Sequence, residues 1–124
     1  MIDVDNFKEY NDENGHQDGN KLLHVLGQLI PKTIRKTDTA FRYGGDEFAI
    51  LLPECNKKNA ISIAHKISKK IREYPFKGRE KLASGEVTIS TGVAFYADHT
   101  GDFLKKADQL LYKAKAAGDS QVVA

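Results

Sequence analysis

The sequence predicts an α/β chain, an α+β sandwich whose antiparallel-centred sheet is flanked by helices. Three observations carry that expectation. Stretches with apolar residues three and four positions apart indicate amphipathic helices. Short apolar or alternating runs between them indicate strands. Gly44-Gly45 divides two strand-like runs, with Phe41 before it and Phe48-Ala49-Ile50-Leu51-Leu52 after it. Both glycines take positive φ at low steric cost, so the pair reads as a hairpin turn. The predicted order is β-α-α-β-β-α-β-α-β, with the hairpin at the heart of a layered sandwich.

Each element follows from its local pattern. Met1 to Val4 reads as the end of a strand. Asp5 suits the cap of a short helix over about Asn6 to Glu13, which Asn14-Gly15 stops. Asp18 suits the cap of a second helix reaching about Lys36. Its apolar stripe is Leu22, Leu23, Leu26, Leu29, Ile30 and Ile34, and Pro31 should kink it or end its regular part. The hairpin fills about Ala40 to Pro53. A third helix runs from about Lys57 to Tyr74, burying Ala60, Ile63, Ala64, Ile67 and Ile71. Phe76 to Ser84 is a polar connection with room for a minor strand. Glu86 to Phe95 alternates, with Val87, Ile89, Thr91 and Val93 on one face. Asp102 to Ala117 is a helix with Leu104, Ala107, Leu110, Leu111 and Ala114 inward, ended by Gly118. Phe103 and Tyr112 are expected in the core, and Gln121 to Val123 adds a last strand.

The bulk properties bound the function. At 124 residues the chain is expected to form one domain with a real core, and no linker divides it. A net charge of +2 gives no argument for duplex nucleic acid or a membrane surface as partner, yet tolerates a nucleotide. The single Cys55 excludes an internal disulfide and fits a reducing cytoplasm. No apolar run approaches the roughly 18 residues of a spanning helix. His16, His24, His65 and His99 show no metal-ligand spacing.

Acidic residues carry the chemistry. Asp46 and Glu47 follow the Gly-Gly turn and project from its tip. Period two puts Asp3 and Asp5 on one side of the first strand, unless Asp5 caps the helix that begins there. With that strand beside the hairpin, Asp3 faces Asp46 and Glu47. Such carboxylates repel one another unless a divalent cation neutralises them, and their oxygens suit Mg²⁺. Solvated acids of an ordinary turn fit the same spacing, and the residues alone leave both readings open. Asn6-Phe7-Lys8 opens a helix, whose free N–H groups suit a phosphate. Asn11, Gly15-His16 and Gly19-Asn20 make a polar loop between two helices, whose Asn side chains suit a base edge, although turn-forming Asn and Gly explain the stretch as well. Arg35 and Lys36 at the end of the second helix, and Lys113 and Lys115 in the last, also suit a helix C-terminus without any ligand.

Together these pieces resemble a GGDEF domain of the diguanylate cyclase family. The resemblance rests on Asp3-Val4-Asp5-Asn6-Phe7-Lys8, Asn11-Asp12, Gly15-His16-Gln17-Asp18-Gly19 and Arg42-Tyr43-Gly44-Gly45-Asp46-Glu47-Phe48, in the family's order. Thr88-Ile89-Ser90-Thr91-Gly92-Val93-Ala94 and Ala107-Asp108-Gln109-Leu110-Leu111-Tyr112-Lys113-Ala114-Lys115 continue it. It implies a fold like the palm of polymerases and adenylyl cyclases. It implies a homodimer in which two domains, each holding GTP, form cyclic di-GMP with release of pyrophosphate. Asp3, the Val4 carbonyl, Asp46 and Glu47 match the positions for Mg²⁺ (or Mn²⁺), and Asp46 or Glu47 would accept the proton of the attacking hydroxyl. Asn6, Phe7, Lys8 and Lys115 match phosphate-binding positions, Gly45 a close approach to the nucleotide, and Asn11 a guanine-reading one. Arg35-Lys36-Thr37-Asp38 has the form of the family's inhibitory site for cyclic di-GMP. A cytoplasmic location and an upstream sensor domain are implied as well.

Three departures from the pattern bear on function. Asn20 stands where the family usually has an aspartate that pairs both guanine donors. Asp119 stands where a phosphate-binding arginine is usual. The family's helix ahead of the first strand has no counterpart, so the domain over 1–124 is expected to be N-terminally incomplete. Two alternatives follow: a degenerate domain that binds GTP or cyclic di-GMP as a receptor, and a synthase of a mixed guanine–adenine cyclic dinucleotide.

Overall fold

The computed structural model describes residues 1–96 and 102–124. Its elements in chain order are β1 (Ile2–Val4), α1 (Phe7–Asn14), α2 (His16–Thr33), β2 (Thr39–Arg42), β3 (Glu47–Leu51), α3 (Lys57–Glu73), β4 (Ile89–Gly92), α4 (Phe103–Ala116) and β5 (Val122–Val123). The strands form one five-stranded sheet in the order β2-β3-β1-β4-β5. The β2–β3, β3–β1 and β1–β4 pairs are antiparallel, and only β5 runs parallel to its neighbour β4. The predicted mixed α/β architecture with an antiparallel centre is therefore the observed one. His99 lies outside the described residues.

Strand periodicity divides the core between the two faces of the sheet. Ile2, Val4, Phe48 and Ile89 join Leu22, Leu26 and Ile30 of α2 and Ile67 and Ile71 of α3 in one cluster. Met1 and Ala49 meet Ala107 and Leu111 of α4 on the other face. Contact there is very close at Gly92, where a Cβ would stand 2.2 Å from the backbone nitrogen of Leu111. Only glycine lets α4 lie directly on β4. Among the described residues no helix is long and apolar enough to cross a membrane.

Several boundaries differ from the sequence expectation. Asp5 does not cap α1, because its carboxylate is taken elsewhere; Asn6 occupies the cap position with φ 54 and makes no side-chain cap bond. Asp18 does not cap α2 either. Gly15, at φ 88, ends α1 and opens α2 within one residue, so α2 starts at His16 and Asp18 sits in its first turn. Pro31 lies inside α2, which continues to Thr33 and stops short of Lys36. The chain turns there because Ile34 is extended and Asp38 folds back on Arg35. Phe76 to Ser84 contains a 3₁₀ turn at Arg79–Lys81 rather than a strand. Tyr112 is 76% exposed and Leu104 also faces outward. Ala107, Leu111 and Ala114 form the inward stripe of α4, and Tyr112 falls about 100° round the helix from Leu111.

Candidate functional site

β1 and β3 bring the first acids together. They pair antiparallel with Asp3 opposite Glu47, and the Val4 N–H donates to the Asp46 carbonyl at 3.1 Å. Because Ile2 and Val4 turn into the core, Asp3 turns towards α4. It is buried, and its Oδ1 accepts a hydrogen bond from the Lys115 ammonium. Burial pushes the Asp3 carboxyl up, the Lys115 bond opposes this, and the negative charges of Asp46 and Glu47 push it further. Asp3 thus lies across the strand pair from Glu47, with Asp46 the next residue along the hairpin.

The hairpin differs in detail from the expected two-glycine turn. Residues 43–46 form a four-residue loop, closed by Tyr43 and Gly44 N–H groups donating to the Glu47 carbonyl at 2.9 and 3.2 Å. Neither Gly44 nor Gly45 is among the glycines with positive φ. A Cβ at Gly44 would lie 2.8 Å from Oε2 of Glu47, so a larger residue there would displace that carboxylate. Beside Gly45 the space is open, which leaves its backbone approachable. The Arg42 guanidinium locks the loop by donating to the carbonyls of Gly44 and Gly45 at 3.0 and 3.1 Å. Sequence reasoning missed that lock, although an arginine at a strand end beside two glycines is its visible signal.

Around this centre lie the other predicted residues. Asn6 is exposed at the left-handed entrance to α1, and its Nδ2 donates to Asp119 Oδ2 at 2.8 Å. Phe7 packs partly buried against the core. Lys8 is exposed and pairs along the helix with Asp12 at 3.2 Å. Asn11 packs against Gly19, where a Cβ would collide with Asn11 Oδ1 at 1.7 Å, and that buried oxygen has no partner among the described residues. Asn20 is exposed just after the first turn of α2, next in sequence to Gly19.

Asp5 has a separate task. Its two oxygens accept from Thr88 Oγ1 at 2.8 Å, Ser90 Oγ at 2.7 Å and the Ser120 N–H at 2.8 Å. A carboxylate so filled clamps the end of β1 to β4 and to the turn that carries Asp119.

Among the described residues no three acid, histidine or cysteine side chains gather tightly enough to hold an ion alone. Mg²⁺ does not require that, because it takes one or two carboxylates and completes its shell with water and phosphate oxygens. Asp3, Glu47 opposite it across the β1–β3 pair and the Val4 carbonyl are of the chemistry this demands.

Arg35 and Asp38 stand at the other end of β2, about 13 Å of strand from the hairpin loop. The guanidinium grips Asp38 through Nε and Nη2, the shortest contact being 2.7 Å, and also donates to the Pro53 carbonyl at 2.8 Å. Asp38 is held below the ordinary carboxylate range by the Arg35 hydrogen bond, with burial opposing.

Comparison with known proteins bears on the family and the fold. The family model for the GGDEF domain, diguanylate cyclase, matches residues 1–121. The chain is 42% identical over 127 residues to the uncharacterized protein YhcK of Bacillus subtilis (strain 168), covering 98% of this chain and 34% of that one. It spans about a third or less of the curated relatives it matches. Its backbone superposes with a TM-score of 0.86 on the active GGEEF domain of a diguanylate cyclase from Vibrio cholerae, at 31% identity, covering 98% of this chain and 78% of that one. The GGDEF domain of DgcB from Caulobacter crescentus, solved in complex with c-di-GMP, gives a TM-score of 0.89 at 28% identity, covering 99% and 74%.

Proposed function

The chain belongs to the GGDEF family of diguanylate cyclase domains, and from that premise we propose that it condenses two GTP molecules into cyclic di-GMP. The observation that carries the reading is the convergence of Asp3, Asp46 and Glu47 across the β1–β3 pair, beside the N-terminus of α1.

Asp3, the Val4 carbonyl and a hairpin carboxylate would hold the divalent cation. Mg²⁺ or Mn²⁺ there would lower the pKa of the 3′-hydroxyl and offset charge on the α-phosphate and leaving group. The N–H groups at the start of α1, with Lys8 and Lys115, bind the terminal phosphates. Gly45, with open space at its α-carbon, lets the backbone lie against the nucleotide. Asn11, held against Gly19, offers its amide to the base edge. In each half-reaction the 3′-oxygen of one GTP bonds to the α-phosphorus of the other. The bond from that phosphorus to the bridging oxygen breaks, pyrophosphate leaves, and Asp46 or Glu47 takes the hydroxyl proton. Two such steps close the ring, so two domains must face each other as a homodimer. Arg35 and Asp38 form a separate site for the product. The setting is the cytoplasm, under the control of an upstream sensor domain.

A receptor without turnover is the second reading, favoured by one contact. Asp119 occupies Asn6 at the phosphate cradle and brings a negative charge there. Turnover of GTP with Mg²⁺ separates the two. Wild type should release pyrophosphate and Asp3→Asn should lose at least about a hundredfold in rate while remaining folded. Binding of GTP without pyrophosphate from the wild type, even at high protein concentration, would support the receptor instead.

A further inference from the structure

We propose that Lys115 is a tethered counter-ion of the metal site. Its ammonium holds Asp3 while no divalent cation is bound, and passes to the nucleotide's phosphates when one arrives. The inference rests on the reading of Asp3 as a metal ligand.

The geometry supplies the argument. The Asp3 side chain is 12% exposed and faces the like charges of Asp46 and Glu47. A carboxylate so placed needs a cation. Lys115 provides it through Oδ1 of Asp3, from the last turn of α4, where a helix C-terminus favours positive charge. Its own side chain is 42% exposed on a flexible four-carbon stem, so it can swing away without disturbing the core. An ammonium and a divalent cation at one carboxylate repel each other. Free metal must therefore displace Lys115, which lowers its affinity. With a triphosphate present the displaced ammonium gains a new anion, so metal and nucleotide assist each other through Lys115 as well as through direct contact. Such coupling is reciprocal by linkage. The second donor near the cradle behaves alike, since Asn6 is held by Asp119 of the turn that follows α4. The resting site thus satisfies its donors with its own carboxylates.

Mn²⁺ binding without nucleotide, followed by electron paramagnetic resonance, tests this on wild type, Lys115→Met, Lys115→Arg and Asp3→Asn. Lys115→Met should bind Mn²⁺ about two- to fivefold more tightly than wild type, because a half-exposed opposing charge is gone. Lys115→Arg keeps the charge and should stay near the wild-type value. Asp3→Asn should abolish the tight site. On adding GTP, the advantage of Lys115→Met should disappear. Equal or weaker Mn²⁺ binding by Lys115→Met, with Asp3→Asn still defective, would overturn the counter-ion role and leave the metal site standing. Unchanged Mn²⁺ binding by Asp3→Asn would overturn both.

Discussion

Asp3 and Asp5 share one side of the chain, and their fates show what a residue's neighbours decide. Asp3 lies opposite Glu47 of the hairpin and takes a lysine from α4, the arrangement on which the proposed cation site rests. Asp5 meets donors 83, 85 and 115 residues away and becomes a clamp. Those partners are remote in sequence and no motif or spacing names them, so the clamp was illegible, whereas Asp3 was singled out by the motif it opens. Asp5→Ala would leave two hydroxyls and one N–H without their acceptor, at a cost of about 2–4 kcal/mol. Urea unfolding of the variant measures it, and an unchanged midpoint would refute the clamp. Asn20 makes a different prediction. It lacks the second acceptor that would pair both guanine donors, and an unpaired buried donor costs about 1–3 kcal/mol. Asn20→Asp should therefore raise the preference for GTP over ATP in competitive binding by roughly ten- to a hundredfold. Equal preferences in the two proteins would show that this amide does not select the base.

Helices were easier to place than turns. The stripes of α2, α3 and α4 are periodic over many residues, so their existence follows from burial alone. Turns hang on single contacts. Gly15 joins two helices through one positive φ, and Arg42 fixes a four-residue loop that glycine preference alone reads as a two-residue one. The α2–β2 turn is closed by Arg35 and Asp38, whose side chain is inaccessible while that of Arg35 stays half exposed. This turn gives a pH dependence with a definite sign. A carboxyl depressed in the folded state stabilises the fold above its unfolded value and loses that contribution as pH falls through the folded one. Wild type should be more stable than Asp38→Asn at neutral pH by a constant margin. The margin should shrink below about pH 4. Urea midpoints of both proteins across that range give the result, and a margin that grows in acid would contradict it.

On the scale of the whole molecule, the sheet order β2-β3-β1-β4-β5 sets the site. It puts the hairpin beside the first strand, so acids far apart in sequence meet at one end of the sheet. The order of elements and the family motifs made that end legible beforehand. The self-contained pairings, Lys115 with Asp3 and Asn6 with Asp119, were not legible, because each joins a residue near the start of the chain to the end of α4 or the turn after it. The central claim is that this arrangement makes cyclic di-GMP from GTP when two copies meet. It is tested most directly by chromatography of the products formed with Mg²⁺ from GTP, ATP and their mixture, over a range of protein concentration. The account predicts cyclic di-GMP from GTP, at a specific activity that rises with concentration because the two domains must encounter each other. It also predicts loss of that product in Asp3→Asn. No cyclic dinucleotide from any mixture at any concentration, or undiminished synthesis by Asp3→Asn, would contradict it.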